Sequence, residues 1–208
     1  MDHVIRQAVI GNEVRMKRVL VICLLVICLT GMLAGCAKEE SGPLSGKHHV
    51  EIEIQDYGVI KAELDADAAP ITVTNFVNLS KEGFYNGTTF HRIINGFMMQ
   101  GGDPTGTGSG GADAAIKGEF SKNGVENPLK HTRGTLSMAR SQEYDSASSQ
   151  FFIVHEDASH LDGQYAAFGR VTEGMEIVDE ICETLGNTST GIVEESKRPV
   201  IKEIRVVD

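Results

Sequence analysis

The segment Phe90-His91-Arg92-Ile93-Ile94-Asn95-Gly96-Phe97-Met98-Met99-Gln100-Gly101-Gly102-Asp103 holds two apolar runs divided by Asn95-Gly96. An Asn-Gly pair between such runs is a strong hairpin signal, because both residues tolerate the backbone a tight turn needs. The reading is strand, turn, strand. Arg92 and Gln100 are embedded among Phe, Ile and Met. Arginine on a strand is ordinarily solvated. Among large apolar groups it becomes a fixed cationic donor.

The same pattern extends in both directions. Val50, Ile52 and Ile54 alternate with Glu51, Glu53 and Gln55, which predicts a half-buried strand. Asp56-Tyr57-Gly58 is a turn, and residues 59–64 return as its partner. Pro70 suits a helix start; Val73, Phe76, Val77 and Leu79 follow at helical spacing, and Gly83 suits the end. Short strands are expected over 88–94, 97–100, 134–138, 150–154, 166–171 and 200–207. Met175, Ile177, Val178 and Ile181 mark a second helix. Strands do not alternate regularly with helices, which disfavours a doubly wound parallel sheet. A mainly β, antiparallel barrel or sandwich capped by two helices is expected.

The chain has 208 residues, 19 Lys+Arg, 29 Asp+Glu and a net charge of -10. That balance argues against a nucleic-acid binder, which needs basic side chains to neutralise phosphates. It equally disfavours electrostatic attachment to an anionic membrane. Tryptophan is absent.

Near the start, Met16-Lys17-Arg18 precedes a nearly unbroken apolar run over 19–33. A basic patch followed by ~7–15 apolar residues is the layout of a secretory signal. The run is shorter than the roughly 20 residues a spanning helix needs. Met16 is the expected start, and residues 1–15 precede the patch. Leu33-Ala34-Gly35-Cys36 resembles the bacterial lipobox, in which the cysteine sulfur carries diacylglycerol. The expected organisation is a signal over 1–35, a lipidated Cys36 with a flexible linker over 36–47, and a domain over 48–208. The implied location is extracytoplasmic, lipid-anchored to a bacterial membrane. Cys23 and Cys28 leave with the signal, so Cys182 is the one thiol left, a small core residue in a helical pattern. Residues 1–35 carry four basic and two acidic side chains, so the chain from Cys36 has 15 basic, 27 acidic and a net charge of -12.

Other motifs carry less. Gly106-Thr107-Gly108-Ser109-Gly110-Gly111 contains GxGxxG, but no βαβ unit surrounds it, so a flexible loop is the better account. His48-His49 are adjacent and point to opposite strand faces. No CxxC or HExxH spacing exists, and no metal is expected. His155 and His160, beside Glu156 and Asp157, read as a solvated loop. A Ser/His/Asp triad is open on composition, although the GxSxG elbow is absent.

Three blocks together are decisive: 90–103, then Leu136-Ser137-Met138-Ala139-Arg140, then Ser149-Gln150-Phe151-Phe152-Ile153 continuing to Leu161-Asp162-Gly163 and Phe168-Gly169-Arg170-Val171. In order and spacing they resemble the cyclophilins, the peptidyl-prolyl cis-trans isomerases, over about residues 48–208. The resemblance implies a closed eight-stranded antiparallel barrel with a helix at each end. It implies Arg92 as the catalytic arginine. Phe97, Met98, Phe152 and Leu161 would form a proline pocket, and Gln100 and Gln150 would hydrogen-bond the substrate backbone. Ala139 and Arg140 would lie along the peptide groove. Tyr165 falls where eukaryotic archetypes have His, and His160 where they have the Trp associated with cyclosporin affinity. Asn95 replaces the usual Pro, and Arg140 stands where many members have Asn.

The implied substrates are proline-containing polypeptides, in this location unfolded exported proteins. No cofactor is implied, and nothing requires more than a monomer. The rival reading is a tethered module that binds unfolded exported chains, with isomerisation incidental. A solute-binding lipoprotein is disfavoured, because the chain reads as one barrel rather than two lobes.

Overall fold

The computed structural model describes residues 42–208. The apolar segment, Cys36 and the first part of the linker lie outside the described residues. Among the described residues there are eight strands: β1 Lys47–Ile54, β2 Gly58–Asp65, β3 Arg92–Ile94, β4 Met98–Gly101, β5 Thr135–Met138, β6 Phe151–Val154, β7 Ala167–Glu173 and β8 Ile201–Val206. Two α-helices of the same residues join them, α1 Pro70–Lys81 and α2 Met175–Leu185.

The β1–β2 hairpin follows from alternation. Val50 faces Ala62 and Ile52 faces Ile60, all buried, while Glu51 pairs across with Lys61 on the outer face. Helix α1 starts on Pro70 with no side-chain cap of its own. Its exposed N–H groups find a distant partner: the buried Glu119 carboxylate accepts from Ile71 N at 3.0 Å and Thr72 N at 2.8 Å. A carboxylate there satisfies orphan donors and faces the positive end of the helix dipole. Phe76 on the inner face of α1 packs against Tyr85, Phe151 and Phe168, with ring centroids 5.1–5.2 Å apart. Such pairs add ~0.5–1.5 kcal/mol each beyond area burial. Helix α2 buries Ile177, Val178, Ile181 and Cys182. Cys182 is therefore a core residue, and burial pushes its thiol pKa up to about 12.

All strands belong to one antiparallel sheet of order β3-β4-β6-β5-β7-β2-β1-β8. The expected closed barrel needs correction: the sheet is a curled half-barrel whose edge strands β3 and β8 share no ladder. The expected strand over 88–94 is reduced to Arg92–Ile94 for the same reason. Its first half instead crosses the seam, where Thr89 bridges Val200 and Phe90 N donates to Pro199 O at 3.0 Å. The free edge of β3 is covered by residues 191–193, through Ile93 N to Gly191 O and Val193 N to His91 O. Covering an edge removes a template for strand addition.

Three imidazoles are buried in this shell, and His131 and His91 lie deepest. His131 is 1% exposed, with Nδ1 3.0 Å from Asp162 Oδ1 and Nε2 2.9 Å from Ser137 Oγ. This is the topology of a Ser/His/Asp triad, but Ser137 is 0% exposed, so its hydroxyl meets no substrate. His91 is buried with Nδ1 unpartnered. Burial depresses the pKa of both below 6.5, for His131 against the opposing pull of Asp162 and for His91 against that of Asp103. Each group then binds a proton more readily unfolded than folded. Its contribution is complete above about pH 6.5 and is lost as pH falls toward the folded pKa. The urea midpoint should therefore fall between about pH 7.5 and 5.5, a window in which ordinary carboxylates stay ionised. An unchanged midpoint contradicts two imidazoles buried neutral.

Candidate active site

The site lies on the outer face of the sheet. Arg92 on β3 is directly opposite Gln100 on β4, Gln100 opposite Phe152 on β6, and Phe152 opposite Ser137 on β5. Directly opposed residues share a face, so the four form one row across four strands. The alternate row, Ile93, Met99, Ile153 and Leu136, fills the main core. Met98, Phe152, Val154, Ala158 and Leu161 form a second apolar cluster, with Ile94, Phe97, Ala139 and Tyr165 against it.

Nine of the sequence-derived residues line one cavity of about 240 Å³: Arg92, Phe97, Met98, Gln100, Ala139, Arg140, Phe152, Leu161 and Tyr165. Its apolar floor is Met98, Phe152 and Leu161, all buried. Tyr165 stands edge-on to Phe152 at 6.0 Å. Arg92 is half-buried at the polar wall; its Nη1 lies 3.4 Å from Gln100 Oε1 and 3.9 Å from Met98 Sδ. No Asp, Glu, His or Cys lines this cavity.

Gln150 stands one step away, in an adjoining groove of about 520 Å³ that shares Gln100, Ala139 and Arg140 with the first cavity. Gln100 Nε2 donates to Gln150 Oε1 at 2.9 Å. His160 is exposed on the rim and stacks at a tilt on Phe97, centroids 5.4 Å apart. Arg140 lines both cavities and is itself held by rings and carbonyls. Its guanidinium sits 4.6 Å from the Tyr165 ring centre and 5.2 Å from those of Phe120 and Tyr144. It also donates from Nε and Nη2 to Gln164 O and from Nη1 to Ser141 O. Rigid contacts of this kind make it a strut behind Tyr165.

Two sequence readings are corrected. His155 is buried rather than solvated: its Nδ1 accepts from Gly96 N at 3.0 Å and its Nε2 lies 3.2 Å from Asp179 Oδ1, holding the β3–β4 turn beside Phe97. The stretch over 106–111 is pinned rather than flexible, with Gln150 Nε2 donating to Gly108 O at 3.1 Å and Gly110 O at 2.7 Å. Sequence reasoning also missed His131, which stacks on Phe152 at 6.1 Å from beneath. Its partners are 6 and 31 residues away, so no local spacing marks it.

Comparison with known proteins identifies the family. The family described as cyclophilin type peptidyl-prolyl cis-trans isomerase/CLD matches residues 49–207. The chain is 46% identical over 153 residues to peptidyl-prolyl cis-trans isomerase B of Bacillus subtilis (strain 168), covering 74% of this chain and 94% of that protein. It is 49% identical over 126 residues to a peptidyl-prolyl cis-trans isomerase of Helicobacter pylori (strain ATCC 700392 / 26695), covering 60% and 74%. A crystal structure of a Cryptosporidium parvum cyclophilin type peptidyl-prolyl cis-trans isomerase in the presence of the dipeptide Ala-Pro superposes with a TM-score of 0.68 at 34% identity, covering 77% of this chain and 99% of that one. With its three sequence blocks brought to one face of a curled sheet, the chain belongs to the cyclophilin-type peptidyl-prolyl cis-trans isomerase family.

Proposed function

We propose that the chain accelerates rotation about X-Pro bonds in exported or surface polypeptides while held to a membrane through acylated Cys36. One observation carries the chemistry: a cationic donor at the wall of an apolar cavity sized for one ring. The cavity, about 240 Å³, is below the ~300–1,000 Å³ typical of drug-sized ligands.

The peptide C–N bond resists rotation by about 18–20 kcal/mol because its nitrogen lone pair is delocalised. X-Pro bonds exchange unaided over roughly tens to hundreds of seconds. Twisting the bond localises the lone pair and makes the prolyl nitrogen a better acceptor. A donor aimed there binds the twisted state more strongly than either planar state, which is differential transition-state binding. Arg92 supplies that donor. Arginine stays charged and presents several directed N–H groups, and Gln100 engages only one side of it. Met98, Phe152 and Leu161 hold the proline ring while the preceding residue turns. Gln100 and Gln150 orient the substrate backbone. The chemistry calls for no nucleophile, proton transfer, metal or cofactor.

Anchoring rests on Leu33-Ala34-Gly35-Cys36 at the end of an apolar run. Each buried acyl CH₂ contributes roughly 0.8 kcal/mol, so diacylglycerol supplies what an acidic surface cannot.

In a proline-peptide assay on residues 37–208, Arg92→Ala should lower kcat/KM by ~10²-fold, the usual loss for one transition-state donor, with an unchanged melting curve. Near-wild-type turnover would remove Arg92 from its role. Wild-type kcat should be flat from about pH 6 to 8, since no titrating carboxylate or imidazole lines the cavity; a bell-shaped profile would reveal a general acid or base. If the variant keeps the cellular role without turnover, binding alone is the function. In fractionated cells the full chain should sediment with membranes and Cys36→Ser should not; equal partitioning of the two would refute lipid anchoring.

A further inference from the structure

The glycine-rich stretch over 106–111 has no part in the chemistry above, yet it is tied to one buried carboxylate. Asp103 is 1% exposed. Its Oδ1 accepts from Thr105 N at 2.7 Å and Thr105 Oγ1 at 2.8 Å. Its Oδ2 accepts from Gly108 N at 2.6 Å and Gly110 N at 3.1 Å. Burial would raise its pKa, but these donors outweigh that and hold it below the ordinary carboxylate value. Arg198 Nη1 ties the same loop through Gly106 O at 2.9 Å.

The glycines are required by this arrangement. Gly106 and Gly108 adopt φ of 66° and 85°, which cost other residues strain. A Cβ at Gly110 would overlap the Asp103 carboxylate. Glycine peptides are also free to turn over. Asp103 removes that freedom by capturing two of their N–H groups.

The consequence reaches Arg92 by a relay with one direction. The loop presents Gly108 O and Gly110 O, which take both N–H bonds of Gln150 Nε2. Only Gln150 Oε1 then faces inward, and it accepts from Gln100 Nε2. Gln100 must therefore turn Oε1 to Arg92 Nη1. Flipping either amide sets oxygen against oxygen at one end and N–H against N–H at the other. We propose that Asp103 is a positioning residue which, through the glycine loop, fixes the amide orientations of Gln150 and Gln100 and so the direction of the Arg92 guanidinium. The proposal rests on the isomerase reading for its effect on turnover, but not for the amide orientations themselves.

Asp103→Asn is the test, because it replaces one acceptor oxygen by a donor facing N–H groups. Turnover and the side-chain NH₂ signals of Gln100 and Gln150 in ¹H–¹⁵N spectra are read together. In the wild type both Gln150 NH₂ protons should be protected from solvent exchange. In Asp103→Asn that protection should vanish, and kcat should fall roughly tenfold or more with KM within about twofold, the pattern of an interaction used only in the transition state. Wild-type Gln150 protons that exchange freely overturn the proposal without any variant, which also covers a variant that fails to fold. Unchanged signals and kcat in a folded variant overturn it as well. So does a kcat loss that merely tracks the unfolded fraction. A wild-type chain with protected amides but no isomerase activity refutes the functional reading while leaving the orientations standing.

Discussion

Everything in the site depends on one row of cross-strand pairs: Arg92 to Gln100 to Phe152 to Ser137. The side-chain period of a strand is two, so a one-residue slip in any of these ladders exchanges the outer row for the core row. Such a slip would send Arg92 into the core in place of Ile93. The register is held from both sides. Ile93, Met99 and Ile153 are each fully buried beneath it, and Met98, Phe152 and Val154 are buried above it. Antiparallel sheets commonly leave one face to solvent, whereas these short strands are buried on both. Here the second burial lines the candidate cavity, so the forces that set the register also shape that cavity.

Behind that row the molecule places polar networks at each end. His131 touches Ser137, Asp162 and the Phe152 ring, so it ties β5, β6 and the segment carrying Leu161 together. Asp103 performs the matching task for the polar end. A buried donor or acceptor left unpaired costs about 1–3 kcal/mol. Networks satisfied in only one arrangement therefore penalise every competing rotamer of the groups they hold. Arg140 adds a third support at the groove's edge, its guanidinium held by backbone carbonyls and three aromatic faces.

The sequence disclosed most of the site and less of what holds it. The Phe90–Asp103 block is legible because its information is local: an Asn-Gly turn fixes a hairpin, and alternation fixes the faces. The helices were equally readable from Pro70 and Gly83 and from the apolar spacing after Met175. The open seam of the half-barrel was not, because it depends on how residues 87–90 meet 199–201, more than a hundred positions away. His155 beside Glu156 and Asp157 looks solvated in sequence, and only its contacts with Gly96 and Asp179 bury it. Composition alone makes Gly106–Gly111 look flexible; the Asp103 carboxylate that orders it lies before the repeat and carries no spacing signature.

The apolar and polar sides of the cavity act on different properties of a bound peptide, and that separates binding from turnover. Met98, Phe152, Leu161 and Tyr165 supply the ring-sized apolar surface. The polar side chains Arg92, Gln100 and Gln150 come from β3, β4 and the residue just before β6. Burial of a proline ring draws on the first group and is nearly the same for cis, trans and twisted bonds. Donation to the prolyl nitrogen draws on the second and grows only as the bond twists. Uniform binding of that first kind lowers KM without raising kcat. A holding module therefore needs the floor alone. The glutamines of the polar wall can serve binding as well, by hydrogen-bonding a peptide backbone, so it is an Arg92 donor whose hold strengthens only as the bond twists that distinguishes catalysis from holding.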